Sequence, residues 1–231
     1  MNERAVLLRT ALREFGGAGI ALASSFVALG ALLRDSGMQM WQSVFCTFIV
    51  FALPGQIVAA ELFAREAAAA VVLFSVLLVN MRLMPMTVAL LPLLRPKEKR
   101  GWRDFAVAHL IAVTSWVSFM GARESVPAAA RYRYFVCTGG ALWLCGIAAT
   151  AAGYAAGGAL PAWLLAGLLF LNPVYFLCTM LRALTRRADI VALILGMLLL
   201  PPLHLFAGQW DIVVCGIVGG GAAFLLYGRG G

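Results

Sequence analysis

The chain has 231 residues, 63% of them hydrophobic and 12% charged, with a mean hydropathy of +0.93 and a formal net charge of +8. A soluble globular domain carries about a quarter charged residues, so this balance excludes that class and points to a chain solvated by lipid. Nor does the positive charge indicate nucleic-acid binding. The basic residues gather in short loops, Arg95, Lys97, Lys99, Arg100 and Arg103 in one, Arg123, Arg131 and Arg133 in another, Arg182, Arg186 and Arg187 in a third, as in multi-pass membrane proteins.

Met1 to Glu14 carries Arg4, Arg9 and Arg13 before an apolar run, which resembles the start of a secretory leader. With many apolar runs after it and no clear small-residue cleavage site, it reads instead as a first helix with a basic flank. Eight apolar segments follow: Gly16 to Leu33, Trp41 to Ala60, Ala67 to Leu94, Phe105 to Ala122, Tyr134 to Ala159, Pro161 to Leu181, Ile190 to Gly208 and Ile212 to Tyr227. Most reach the length of about 20 residues that a helix needs to cross the hydrocarbon. The prediction is an all-α, polytopic transmembrane bundle of about six to eight segments, some interrupted, forming a single integral membrane domain over residues 1–231.

Two segments are unusual. The third contains Asn80, Arg82, Pro85 and Pro92, so it bends, breaks or turns back on itself. The fourth is short and holds His109, Thr114, Ser115 and Ser118, which also suits a helix lying in the membrane interface. Counting Lys and Arg on the loops does not choose between these topologies, although the more asymmetric ones place the basic 95–103 loop in the cytoplasm. A weak internal echo aligns Phe51-Ala-Leu-Pro54-Gly-Gln56 with Phe170-Leu-Asn172-Pro173-Val-Tyr175 and suggests related halves, residues 15–122 and 134–227. Repeated halves with interrupted helices are one way secondary transporters build a site at the bilayer midplane.

Arg82 is the leading candidate for a functional side chain. Its guanidinium keeps its proton, so near the middle of an apolar run it needs an anion, carbonyls or water at membrane depth. Pro54 with Gly55, and Pro173, are predicted helix breaks, because proline removes a backbone donor and the freed groups persist only where they line protein interior or a wet cavity. Gln56, Asn80, Asn172 and Tyr175 lie beside these breaks or beside Arg82. They can donate and accept hydrogen bonds, which suits a zwitterion: amides, helix amino ends or Arg82 for its carboxylate, carbonyls for its ammonium. Apolar surroundings would receive an aliphatic side chain. The predicted substrate-binding set is therefore Arg82, Asn80, Gln56, Asn172 and Tyr175.

Other polar residues carry less. Glu61 and Glu66 flank a segment junction and mark a loop or pair with Arg65 or Arg82. His109 and His204 each stand alone, with no carboxylate at helical spacing, which favours hydrogen bonding over proton transfer. The five cysteines, Cys46, Cys137, Cys145, Cys178 and Cys215, are odd in number and dispersed through apolar runs, so they read as small buried side chains rather than bridges or metal ligands. Gly153-xxx-Gly157 and Gly216-xxx-Gly220 permit close helix approach. No P-loop, HExxH or G-x-S-x-G sequence is present, which argues against ATP-driven transport through this chain and against an intramembrane hydrolase. No cofactor is expected. A non-transporting membrane scaffold, with polar residues that only join helices, is the alternative.

Three features together resemble the AzlC family, the large subunit of bacterial branched-chain amino acid exporters: Pro54-Gly55-Gln56 followed by small residues, Asn80-Met81-Arg82 in the next apolar run, and Tyr134, Phe135, Leu142, Trp143, Thr150 and Gly153 in a later one. The resemblance covers about residues 10–227. It implies efflux of valine, leucine, isoleucine or methionine across a bacterial inner membrane, together with a small membrane subunit of the AzlD type. One departure stands out: where the family shows a Thr-Asp-Glu-like acidic patch, this chain has Val113-Thr114-Ser115-Trp116.

Overall fold

The computed structural model describes residues 3–94, 101–183, 187–207 and 214–227, and within them the chain is helical with no strand. It divides into two compact units, Met1–Phe176 and Leu177–Gly231.

The first unit is organised by two long helices, α1 (Glu3–Asp35) and α8 (Arg131–Ala156), whose apolar stretches Gly16–Asp35 and Ala128–Ala156 are long enough to cross a membrane. Leu22, Phe26, Leu29 and Leu33 recur at helical spacing on α1 and are buried, as is Leu142 of α8, so one apolar stripe faces inward. The helix ends because Gly37 takes the left-handed region at φ +86°. That turn returns the Met38 amide to the Leu33 carbonyl at 3.2 Å, a glycine-dependent C-terminal cap. Glycine also sets the distance between the helices. A Cβ on Gly30 would run into the Thr150 carbonyl, and one on Gly153 would overlap the backbone of Val27. Nearby, the Arg34 guanidinium donates to the carbonyls of Tyr154 (3.2 Å) and Gly157, fastening the ends of the two helices.

Between them lie three pairs of half-length helices: α2 (Met40–Ile49) with α3 (Leu53–Ala64), α4 (Ala69–Asn80) with α5 (Leu83–Leu94), and α6 (Trp102–His109) with α7 (Val113–Ala122). At 1.5 Å per residue each half rises roughly 12–18 Å, too short to cross about 30 Å of hydrocarbon alone, and the α4/α5 pair is together long and apolar enough to do so. The α4/α5 pair bends by 52° at Met81–Arg82, so the third segment runs onward through a kink instead of folding back. The fourth segment is broken at Leu110–Ala112, and its second half buries Thr114, Ser115, Ser118, Phe119 and Ala122. It packs against α1 and α8, inside the bundle rather than along its surface. A second apolar cluster joins Leu90 and Leu94 of α5 to Phe119 of α7 and Phe135 of α8, the two rings meeting edge to face at 5.8 Å.

After a short 3₁₀ turn before α8, and beyond it, comes α9 (Ala162–Ala183), which continues through Pro173. The break expected at Pro173 is therefore not formed. Pro54 is followed by Gly55 and sits in a first helical turn, where its missing donor costs nothing. Pro173 is followed by Val174 and Tyr175 inside an apolar helix, which sacrifices one hydrogen bond and carries on. Phe51–Gln56 and Phe170–Tyr175 thus share a sequence pattern but not a conformation.

The second unit holds the end of α9, α10 (Arg187–Ala207) and a π-helical turn at Gly216–Gly220 that leads into α11 (Gly221–Tyr227). The Cys215 thiol donates to the Gly196 carbonyl at 3.5 Å, and Gly219 lies against Gly196 with ordinary van der Waals room for a Cβ.

Candidate functional site

A helix break in an apolar environment releases carbonyls that need partners, and here those partners are side chains of the broken segment itself and of neighbouring helices. At the α2/α3 break, the fully buried Gln56 donates from Nε2 to the Val50 carbonyl at 2.6 Å, and its Oε1 accepts from Thr47 Oγ1 at 2.7 Å. Thr47 Oγ1 lies 3.0 Å from Thr150 Oγ1 of α8, which donates to Gly146 at 2.9 Å. The Phe48 carbonyl meets His109 Nε2 at 2.9 Å and accepts from Trp143 Nε1 at 3.2 Å. At the α6/α7 break, Ser115 Oγ accepts from the Ala112 amide at 2.9 Å and donates to the Leu110 carbonyl at 2.7 Å. The open backbone is thus built in and held by side chains of its own segments and of α6 and α8.

Replacing Gln56 with leucine should expose what this bracing contributes. It leaves the Val50 carbonyl buried without a donor, at about 1–3 kcal/mol, and thermal melts of the purified protein should show that loss, with a Gln56→Glu variant no better because it lacks the donor when ionised.

The three breaks open onto one cavity of about 680 Å³. Phe51, Ala52, Leu53 and Pro54 line it from the first break, Arg82 and Leu83 from the second, Ala112, Val113 and Thr114 from the third. α1 contributes Leu22 and Phe26, and α9 contributes Ala166, Leu169, Phe170 and Pro173. Arg82 is the one charged residue among them, and it makes no ion pair or hydrogen bond among the described residues. Neither Glu61 nor Glu66 pairs with it. Thr114, only 4% exposed, is likewise without a hydrogen bond among the described residues.

The electrostatics follow from chain direction. Leu53, Leu83 and Val113 are the first residues of α3, α5 and α7, so three helix amino ends with positive partial charge meet at the cavity, although Pro54 and Pro85 remove an amide donor from the first turns of α3 and α5. No side chain caps the α3 amino end. With the Arg82 guanidinium added, the wall is positive and its remaining surface is mostly aliphatic and aromatic.

The sequence-predicted residues distribute unevenly around this space. Arg82, Pro54 and Pro173 line it. Gln56 stands one turn behind, with both ends of its amide engaged in bracing the break. Asn80 packs against Gly55, where a Cβ would sit 2.7 Å from the amide of Asn80, and its Oδ1 is buried without a partner. Tyr175 is half-buried and packs on the α1 cluster. The side chains of Asn172 and His204 lie outside the described residues. Gly55→Ala should therefore destabilise the protein by about 2 kcal/mol through overpacking, and adding Asn80→Ala should recover much of it. Stabilities of the two single variants and the double variant, measured as a cycle, check this: simple additivity would mean the two positions do not touch.

Thr47, which braces the first break, was not singled out from sequence; Trp143 and Thr150, which brace it too, were named there only as motif residues, and Thr114, which lines the cavity, only as a polar residue of the fourth segment. Thr47 and Gln56 are nine positions apart, a spacing that places them together only once the chain is known to break between them. The adjacent hydroxyls of Thr114 and Ser115 at an apolar helix start were the available signal for that residue.

A search of curated proteins and of solved structures returns no match. A family model described as AzlC protein matches residues 18–160, more than half of the chain, from within α1 through the three breaks to just past the end of α8. The chain belongs to the AzlC family and is a membrane transport-related protein.

Proposed function

We propose that this chain is the large subunit of a secondary transporter in a bacterial inner membrane, exporting aliphatic amino acids such as valine, leucine, isoleucine and methionine. A small AzlD-like membrane subunit completes the transporter. The observation that carries the reading is the cavity: Arg82, without an ion pair or hydrogen bond among the described residues, at the meeting point of three helix breaks in otherwise mostly apolar walls. Arg82 and the amino ends of α3, α5 and α7 bind the carboxylate. Leu22, Phe26, Phe51, Leu169 and Phe170 receive the side chain.

Alternating access then requires the half-helices to move about their breaks. Three short helix pairs joined by two or three non-helical residues supply such hinges. With no P-loop in the sequence, transport draws on a solute or ion gradient or on another subunit.

The test is release of preloaded labelled leucine from proteoliposomes holding both subunits. Release well above that from protein-free vesicles supports the reading. Equal release from the two, with valine, isoleucine and methionine also inert, contradicts it and favours a scaffold.

A further inference from the structure

An amino acid brings an ammonium as well as a carboxylate, and its three N–H donors need acceptors wherever water is scarce. No acidic residue is among the described residues that line the cavity, so oxygens of neutral groups must serve. At the breaks, the carbonyls of Phe48, Val50 and Leu110 already accept from His109 and Trp143, from Gln56 and from Ser115. Two other oxygens at the cavity stand differently.

The first belongs to α9. Pro173 has no amide to return to the carbonyl one turn earlier, that of Leu169, and both residues line the cavity. The adjacent Leu168 carbonyl accepts from the buried Ser25 hydroxyl at 3.3 Å, which seats this turn against α1, the helix that contributes Leu22 and Phe26 to the wall. The proline that leaves α9 unbroken thus still provides a carbonyl without its helical donor. The second oxygen is Asn80 Oδ1, buried without a hydrogen-bond partner. Asn80 is the last residue of α4, two positions before Arg82, and its amide packs on Gly55, next to the lining residue Pro54. The two sides of the α4/α5 break therefore differ in sign. The amino end of α5, beside Arg82, favours a carboxylate, whereas the carboxyl end of α4, with Asn80 Oδ1, favours a cation. A zwitterion lying across the break meets both.

We infer that the substrate's ammonium is held between the Leu169 carbonyl and Asn80 Oδ1, so that the cavity selects free α-amino acids over analogues of the same skeleton that lack this charge. The inference rests on the reading of the cavity as the transport site. At about 680 Å³ the cavity leaves room for water on the third N–H.

Leucine, N-acetylleucine and 4-methylpentanoate share the carboxylate and the branched chain, and at pH 7 only leucine carries the ammonium. Each is titrated against the purified full-length protein, with ligand-dependent thermal stabilisation as the readout. Leucine is expected to bind about tenfold or more tightly than either analogue, the worth of one charge-assisted hydrogen bond. In Pro173→Ala an amide returns to the Leu169 carbonyl, which favours the helix and should lower the leucine-to-4-methylpentanoate affinity ratio severalfold. Asn80→Ala should lower that ratio by a similar factor. Because each variant is read as a ratio of two ligands on the same protein, a change in stability alone does not move it. A parent that binds 4-methylpentanoate as tightly as leucine overturns the inference, as does a ratio unchanged in either variant, and both results leave the transport-site reading standing. If neither leucine nor 4-methylpentanoate stabilises the parent, the two fail together.

Discussion

Arg82→Ala should lower carboxylate-solute transport roughly 100-fold in reconstituted vesicles while leaving the melting temperature close to that of the parent. A guanidinium holding a carboxylate through two charge-assisted hydrogen bonds in a poorly hydrated cavity contributes about 3 kcal/mol, and about 1.4 kcal/mol corresponds to a factor of ten. Stability should be indifferent because Arg82 has no ion pair or hydrogen bond among the described residues to lose. Arg82→Lys keeps the charge but not the planar fork, so it should fall between parent and alanine, about tenfold down. A transport loss that tracks a drop in melting temperature would instead identify Arg82 as a structural residue.

The largest effect on stability is expected at Gly153. Its hydrogen faces the backbone of Val27, so a methyl group cannot be accommodated by turning a side chain. The two long helices would have to part, taking with them the buried stripe of Leu22, Phe26, Leu29 and Leu33. Gly153→Ala should destabilise by about 3 kcal/mol or more, roughly 6–12 °C in melting temperature for a chain of this size. Gly140→Ala on the same helix, where a Cβ meets nothing within 4 Å, should melt at or slightly above the parent because alanine is the better helix former. Equal melting temperatures for the two variants would show that α1 and α8 do not approach as described.

The all-helical class, the helix break at Pro54 and an interruption of the third segment near Arg82 were readable from composition and periodicity, because a charge within an apolar run and a Pro-Gly pair are local signals. The break at Leu110–Ala112 was not, since the residues His109-Leu-Ile-Ala-Val contain neither proline nor glycine and read as plain helix or interface. What holds that stretch open is Ser115 curling back on the backbone, together with His109 reaching the Phe48 carbonyl on another segment. Pro173 misled in the opposite direction: a proline without a glycine neighbour gives a helix with one missing bond. Gln56 shows a further limit, because an amide beside a break suits a ligand or the broken backbone equally, and only the partners Val50 and Thr47 reveal how it is used here. The later-run motif residues Trp143, Thr150 and Gly153 likewise gain physical roles only in three dimensions, two as braces of the first break and one as the contact point with α1.

The account depends on solute occupying the cavity beside Arg82 and Thr114, and site-directed labelling reports that occupancy. With the five native cysteines replaced by alanine and Thr114→Cys introduced, the rate of reaction with a small thiol reagent is measured with and without a branched carboxylate or aliphatic amino acid. Solute should slow labelling at least severalfold, and adding Arg82→Ala should abolish the protection. Labelling of that cysteine at a rate unchanged by any of these solutes, at concentrations that support transport, would contradict the central claim.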